Sequence, residues 1–159
     1  VFPHSHAYFN ELAGGPLNGH KHLLSSNIDW GQDILLLADW SLQHPDKPID
    51  AMAYTLNWLI DQDVLELPNK EPPYGNTNES ALTDEQQREV GPQAGRYAVF
   101  VSARHTPDGR FDYFMDFEPV EVLGYTVYIY EISNADVVEF WRRRNNAFKP
   151  LRTVIDDAI

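Results

Sequence analysis

Two apolar segments constrain this chain most. Arg96 to Arg104 places Tyr97, Val99 and Val101 in alternation with Ala98, Phe100 and Ser102. Gly124 to Ile132 carries Tyr-Thr-Val-Tyr-Ile-Tyr-Glu-Ile after its glycine. Both are rich in β-branched and aromatic residues, which fit a pleated surface. The first is apolar on both faces, so it predicts a central strand covered on each side. A sheet of that kind needs helices to cover it, and the rest of the chain supplies candidates.

The clearest helical pattern runs from residue 29 to 44. Trp30, Ile34, Leu35, Leu37, Ala38, Trp40 and Leu42 are distributed as on a helix rather than in strict alternation. Asp29 is placed as an N-cap, Gln32 completes a capping box, and Asp33 adds charge where the helix dipole favours it. His44-Pro45 ends the pattern, since a residue before proline avoids the α region. A strand is expected at 20–26 before this helix and another at 49–55 after it. A weaker helix is expected at 57–64, and a short one from Thr83 to Val90. Phe111 to Phe117 reads as a short helix after a Pro107-Asp108-Gly109 turn. Ser133 caps a last helix to about Asn146, with Asp136 at its third position and Arg142, Arg143 and Arg144 near its end. A strand, a capped crossover helix and a strand imply a parallel pair. The expected fold is a small α/β sandwich, with a mixed sheet of four to five strands, the first two parallel, flanked by helices. Residues 1–19 form an approach segment, 20–150 one domain with a long loop at 68–95, and 151–159 a tail.

Composition narrows the function classes. The 159 residues suit one domain, and 43% hydrophobic content is enough for a core. The formal net charge is −12. Such a surface repels phosphate backbones, so no nucleic-acid partner is expected. There is no cysteine, which excludes disulfides, thiolate metal sites and a cysteine nucleophile. No apolar run approaches the roughly 20 residues of a spanning helix.

The densest polar cluster is Ser25-Ser26-Asn27-Ile28-Asp29-Trp30-Gly31-Gln32-Asp33, between an expected strand end and a helix start. Ligands of open α/β sheets bind outside the carboxyl ends of strands. A tryptophan beside carboxamides and carboxylates can stack the apolar face of a sugar while its hydroxyls meet the polar groups. The candidate ligand-binding residues are therefore Asn27, Asp29, Trp30, Gln32 and Asp33, with Tyr54 at the end of the next strand. The architectural reading of the same residues is that Asp29 and Gln32 cap the helix, Asn27 turns the chain and Trp30 packs in the core. No G-x-G-x-x-G loop supports a dinucleotide, and no cofactor is expected. His4 with His6, and His20 with His22, form two H-x-H pairs that can chelate a metal on extended chain, but nothing in the sequence holds the pairs together, and no metal site is assigned. The many carboxylates offer no defined glycosidase-like pair, and Ser25 and Ser26 lack a G-x-S-x-G context.

The segment from Pro3 to Asp33 reads P-H-x-x-A-Y-F-N-E-L-A-G-G-P-x-N-G-x-x-H-L-L-x-S-N-I-D-W-G-Q-D. It resembles the segment after the last membrane helix of bacterial polytopic glycosyltransferases that use lipid-linked sugars, the protein O-mannosyltransferase and aminoarabinose transferase class. His44-Pro45 with Pro48-Ile49, Gly95 to Val99, and Glu118-Pro119-Val120 with Gly124 to Tyr130 extend the likeness more weakly. The resemblance implies a soluble extracytoplasmic, periplasmic domain tethered to a membrane part upstream of Val1. The catalytic acid of that class lies in the membrane part, so no catalytic residue is carried over. The implied partners are the upstream membrane domain, a saccharide or lipid-linked sugar, and the membrane surface through the aromatic N-terminal segment. The expected role is a non-catalytic accessory domain. A structural or protein-interaction module of the cell envelope is the alternative. The chain departs from the pattern after Tyr54, where it reads Thr-Leu-Asn-Trp-Leu-Ile-Asp-Gln-Asp, and in the loop after Pro68.

Overall fold

The structure is a computed structural model. It describes residues 15, 18, 29–55, 63–75 and 90–143. The elements are α1 (Ile34–Gln43), β1 (Ala51–Ala53), β2 (Gly95–Phe100), α2 (Val101–Arg104), a 3₁₀ helix (Asp112–Asp116), β3 (Glu121–Leu123), β4 (Val127–Ile132) and α3 (Asn134–Arg143). The four strands form one mixed sheet in the order β1-β2-β4-β3. β1 runs parallel to β2, with Ala51 opposite Tyr97 and Ala53 opposite Val99. β4 is antiparallel to both β2 and β3. The fold is thus a small α/β unit with a mixed sheet. The expected strand at 20–26 lies outside the described residues, and the parallel pair that is described is β1 with β2.

Side-chain alternation sorts the sheet into two faces. Tyr97 pairs with Tyr130 and Val99 with Tyr128 on one face. Phe114 of the 3₁₀ helix packs on both Tyr97 and Tyr130, with ring centroids 5.5 and 5.0 Å apart. Tyr113 then meets Phe140 of α3. The other face carries Ala98, Phe100, Val127 and Ile129, and the Tyr54 ring packs at a tilt on Phe100, centroids 4.5 Å apart. On this side α1 is anchored by Trp40, whose Nε1 donates to Glu121 Oε2 at 2.8 Å. Ile34, Leu37 and Trp40 are its buried residues. β2 and β4 are buried along almost their whole length, as two-sided cover demands.

Four expectations change. The helix expected from 29 begins at Ile34, because Gly31 sits at φ +74, outside helical geometry. Asp29 is therefore not the N-cap. Its Oδ1 accepts the Gly31 amide at 2.9 Å, and Gln32 Oε1 accepts the Trp30 amide at 2.8 Å, so the polar residues build a turn ahead of the helix. Asp33 takes the N-cap position without a side-chain cap bond. The strand expected to Arg104 ends at Phe100. Its partner β4 begins opposite, at Val127, so the ladder has nothing to pair beyond that point; Val101 donates to the Thr126 carbonyl and the chain coils into α2. The strand expected from Gly124 starts at Val127, since Gly124, at φ +58, turns the chain between β4 and the unforeseen β3. The strand expected at 49–55 keeps only Ala51–Ala53 in the ladder.

Other expectations hold. Phe111 to Phe117 contains the 3₁₀ helix, and Gly109 closes its turn on the Thr106 carbonyl. Ser133 and Asp136 bond reciprocally at the start of α3. The helices at 57–64 and 83–90 fall almost wholly outside the described residues, and Asp63 to Glu66 form a turn. The residues 144–159 and the four paired histidines also lie outside them.

Candidate functional site

Four elements bring polar side chains to one end of the sheet. Tyr54 directly follows β1, and Ser102 lies just beyond β2, so both stand at the carboxyl ends of the parallel pair. The turn preceding α1 carries Asp29, Trp30, Gln32 and Asp33. The turn between β3 and β4 carries Gly124, Tyr125 and Thr126. Sheets of this kind place ligands at this end.

The cluster is deeply buried. Asp29 is 1% exposed, Asp33 0% and Tyr54 2%. Burial raises the Asp29 carboxyl above its ordinary value, the Gly31 amide and the Ser102 hydroxyl and amide oppose this, and the charge of Asp33 adds to it. The Tyr54 phenol is pushed up to about 12 by burial and then by the charge of Asp29. Asp29 Oδ2, Tyr54 Oη and Ser102 Oγ are all buried without a partner in hydrogen-bond geometry. The hydroxyl and the amide of Ser102 both lie close enough to Asp29 to favour its charged form. Buried polar oxygens left this way are uncommon in folded proteins.

Glycines set these approaches. A Cβ on Gly31 would lie 2.0 Å from the Tyr54 phenol oxygen. A Cβ on Gly124 would lie 2.2 Å from Asp33 Oδ2. That same oxygen accepts the Tyr125 amide at 3.1 Å and Thr126 Oγ1 at 2.9 Å. Asp33 therefore ties the start of α1 to the β3–β4 turn, rather than adding charge to a first helical turn.

The structure brings together Asp29, Asp33 and Tyr54 of the expected site. Trp30 does not pack in the core: 49% of it is exposed, although its neighbour Asp29 is buried. Gln32 holds the Trp30 amide. Asn27 lies outside the described residues. Ser102 and Thr126 were not anticipated, because the sequence pattern placed each inside a strand. Their positions at the end of a strand beside a parallel neighbour, and after a turn glycine, are the signals that would have pointed to them.

Two surface clefts of about 350 and 360 Å³ lie elsewhere and share no lining residue with this cluster. Among the described residues no three His, Cys, Asp or Glu side chains are grouped to hold a metal. No helix among them is long and apolar enough to cross a membrane. Comparison with protein-family models, with curated proteins and with solved structures gives no match for this chain.

Proposed function

We propose that this chain is a non-catalytic accessory domain of a polytopic membrane glycosyltransferase, on the extracytoplasmic face, and that it binds saccharide, as acceptor or as lipid-linked donor, at the turn before α1. The observation that carries the reading is the exposed Trp30 side chain, next in sequence to the buried Asp29, in the turn that joins the polar cluster at the carboxyl ends of a parallel strand pair. Gln32 Oε1 holds the Trp30 backbone amide in the turn, and an exposed indole offers its face to the apolar side of a pyranose. The Pro3–Asp33 resemblance supports the parentage, and the upstream membrane domain is then the first partner. Neutral hexoses and the corresponding methyl glycosides are the probes. Titrating them into ¹⁵N-labelled protein is expected to shift the Trp30 indole resonance, assigned through Trp30→Ala, and the variant is expected to lose binding at least about tenfold, as for an aromatic anchor. A Trp30 resonance that does not move at high millimolar saccharide removes the site.

A second reading has its own observation. Leu35 and Leu42, two turns apart on α1, are 64% and 71% exposed, with Leu36 between them. Such a stripe suits an interaction module of the cell envelope. Leu35→Glu and Leu42→Glu would then abolish association with the membrane domain while leaving the Trp30 resonance responsive to saccharide.

A further inference from the structure

The C-terminal end of α1 opens on the cleft of about 360 Å³, whose polar lining residues are Ser41, His44 and Glu66. The His44 ring is stacked on Trp40, centroids 4.5 Å apart. Its Nδ1 lies 2.8 Å from the Trp40 carbonyl oxygen. A carbonyl only accepts, so Nδ1 carries the proton, and Nε2 of the neutral ring is left as an acceptor. The Ser41 hydroxyl, His44 Nε2 and the Glu66 carboxylate make no hydrogen bond among the described residues. Backbone donors in the adjoining turns are already committed. The His44 amide caps the carbonyls of Trp40 and Ser41, the Lys47 amide bonds the His44 carbonyl, and the Glu66 amide bonds the Asp63 carbonyl. Pro45, Pro48 and Pro68 have no N–H to add, and with Leu67 they make rigid apolar walls.

We propose that this cleft binds a primary ammonium group on a short hydrocarbon stem, the chemistry shared by a small free alkylamine and a lysine side chain. An ammonium has N–H donors and no acceptor, which matches a lining of hydroxyl, imidazole nitrogen and carboxylate. The field agrees. A helix C-terminus is the negative pole of its dipole, and α1 has no basic residue in its last turn to offset it. Glu66 adds a full negative charge, and among the described residues no lysine or arginine lines the cleft. Lys47 belongs to the turn after α1 but lies outside the lining. Glu66 also stands at φ +54, and among the described residues no other non-glycine has a positive φ. A side chain is disfavoured in that conformation, and outliers of this kind gather at binding sites. The proline rings and Leu67 supply the apolar surface for the stem. The same field opposes a developing oxyanion, so Ser41 and His44 act here as binding groups and not as a hydrolytic pair. The inference is independent of the saccharide reading, which rests on Trp30.

The test is titration of n-butylamine into the protein at about pH 8, where alkylamines are charged. The His44 ring resonance, assigned through His44→Gln, is followed by NMR. A saturable shift is expected, with a dissociation constant on the order of 1 mM, within reach of a ligand of about five heavy atoms. Tetramethylammonium, a cation without N–H, and n-butanol, which has no charge, should each bind at least about tenfold more weakly. Glu66→Gln is expected to weaken butylamine at least about tenfold, and Ser41→Ala severalfold. Glu66 is exposed and alanine suits a helix, so both variants should fold. Nα-Acetyl-lysinamide carries the same ammonium. Tighter binding of it than of butylamine assigns the site to a lysine side chain, and weaker or equal binding assigns it to a free amine. No saturable shift up to about 50 mM butylamine, roughly fifty times the expected constant, overturns the proposal. An equal response to tetramethylammonium, or a response unchanged in both variants, also overturns it, because the cation then senses only the acidic surface.

Discussion

Replacing Gly124 by Ala should be among the most damaging single-methyl changes in this protein. Two costs combine. The residue sits at φ +58, where a Cβ costs about 1–2 kcal/mol. The added carbon would also lie 2.2, 2.4 and 2.7 Å from Oδ2, Cγ and Oδ1 of Asp33, so the whole carboxylate must move. Asp33 is fully buried and cannot swing into water. Moving it breaks the bonds from the Tyr125 amide and Thr126 Oγ1, and hydrogen bonds to a charged group are worth about 1.5–3 kcal/mol each. The expected loss is therefore about 4–8 kcal/mol, comparable with the whole stability of an ordinary domain. Gly109→Ala is the control. Its φ is +66, and its nearest neighbour is the flexible end of Asp112 at 3.0 Å, so it should cost only about 1–2 kcal/mol. Urea unfolding of both variants measures the difference. In an Asp33→Ala background, Gly124→Ala should fall to the cost of the Gly109 control, which remains measurable if the single variant does not fold. Equal costs for the two glycines in the wild-type background would refute the idea that Asp33 braces the β3–β4 turn.

Two further outcomes follow from the same geometry. Ser133→Ala removes the hydroxyl that accepts the Asp136 amide and donates to its carboxylate, and should destabilise α3 by about 1 kcal/mol, seen as faster amide exchange in its first turn. The carboxyl of Asp136, held low by the Ser133 hydroxyl and amide, should titrate at higher pH by NMR in that variant. Tyr54, Tyr97 and Tyr130 are each pushed up to about 12, chiefly by burial. A raised phenol favours the folded state fully below the unfolded value of 10 and loses that preference as pH rises through the folded value. Stability should therefore fall between pH 10 and 12, with tyrosinate absorbance and loss of near-ultraviolet dichroism rising together. Free titration of all the tyrosines near pH 10 with the fold intact would contradict the burial of these three.

The sequence by itself determined the two long strands, β2 and β4, and the helix that Ser133 begins. Alternation of Tyr97, Val99 and their neighbours, and a reciprocal Ser133–Asp136 cap, act over a few residues and need no distant partner. It also marked the Asp29–Asp33 stretch and Tyr54 as belonging to one polar end. What those residues do was decided by tertiary structure. Asp29 and Gln32 spell a capping box, yet Gly31 takes a positive φ against the Tyr54 phenol, and the helix starts later. Asp33 is claimed by Thr126, 93 residues away, and that bond turns a local capping candidate into a brace between layers. Ser102 reads as a strand residue until β4 is seen to begin opposite Phe100 and deprive the ladder of a partner. Local rules fix elements because neighbours along the chain are always near. The buried oxygens around Asp29 come from segments that only the packed sheet brings together.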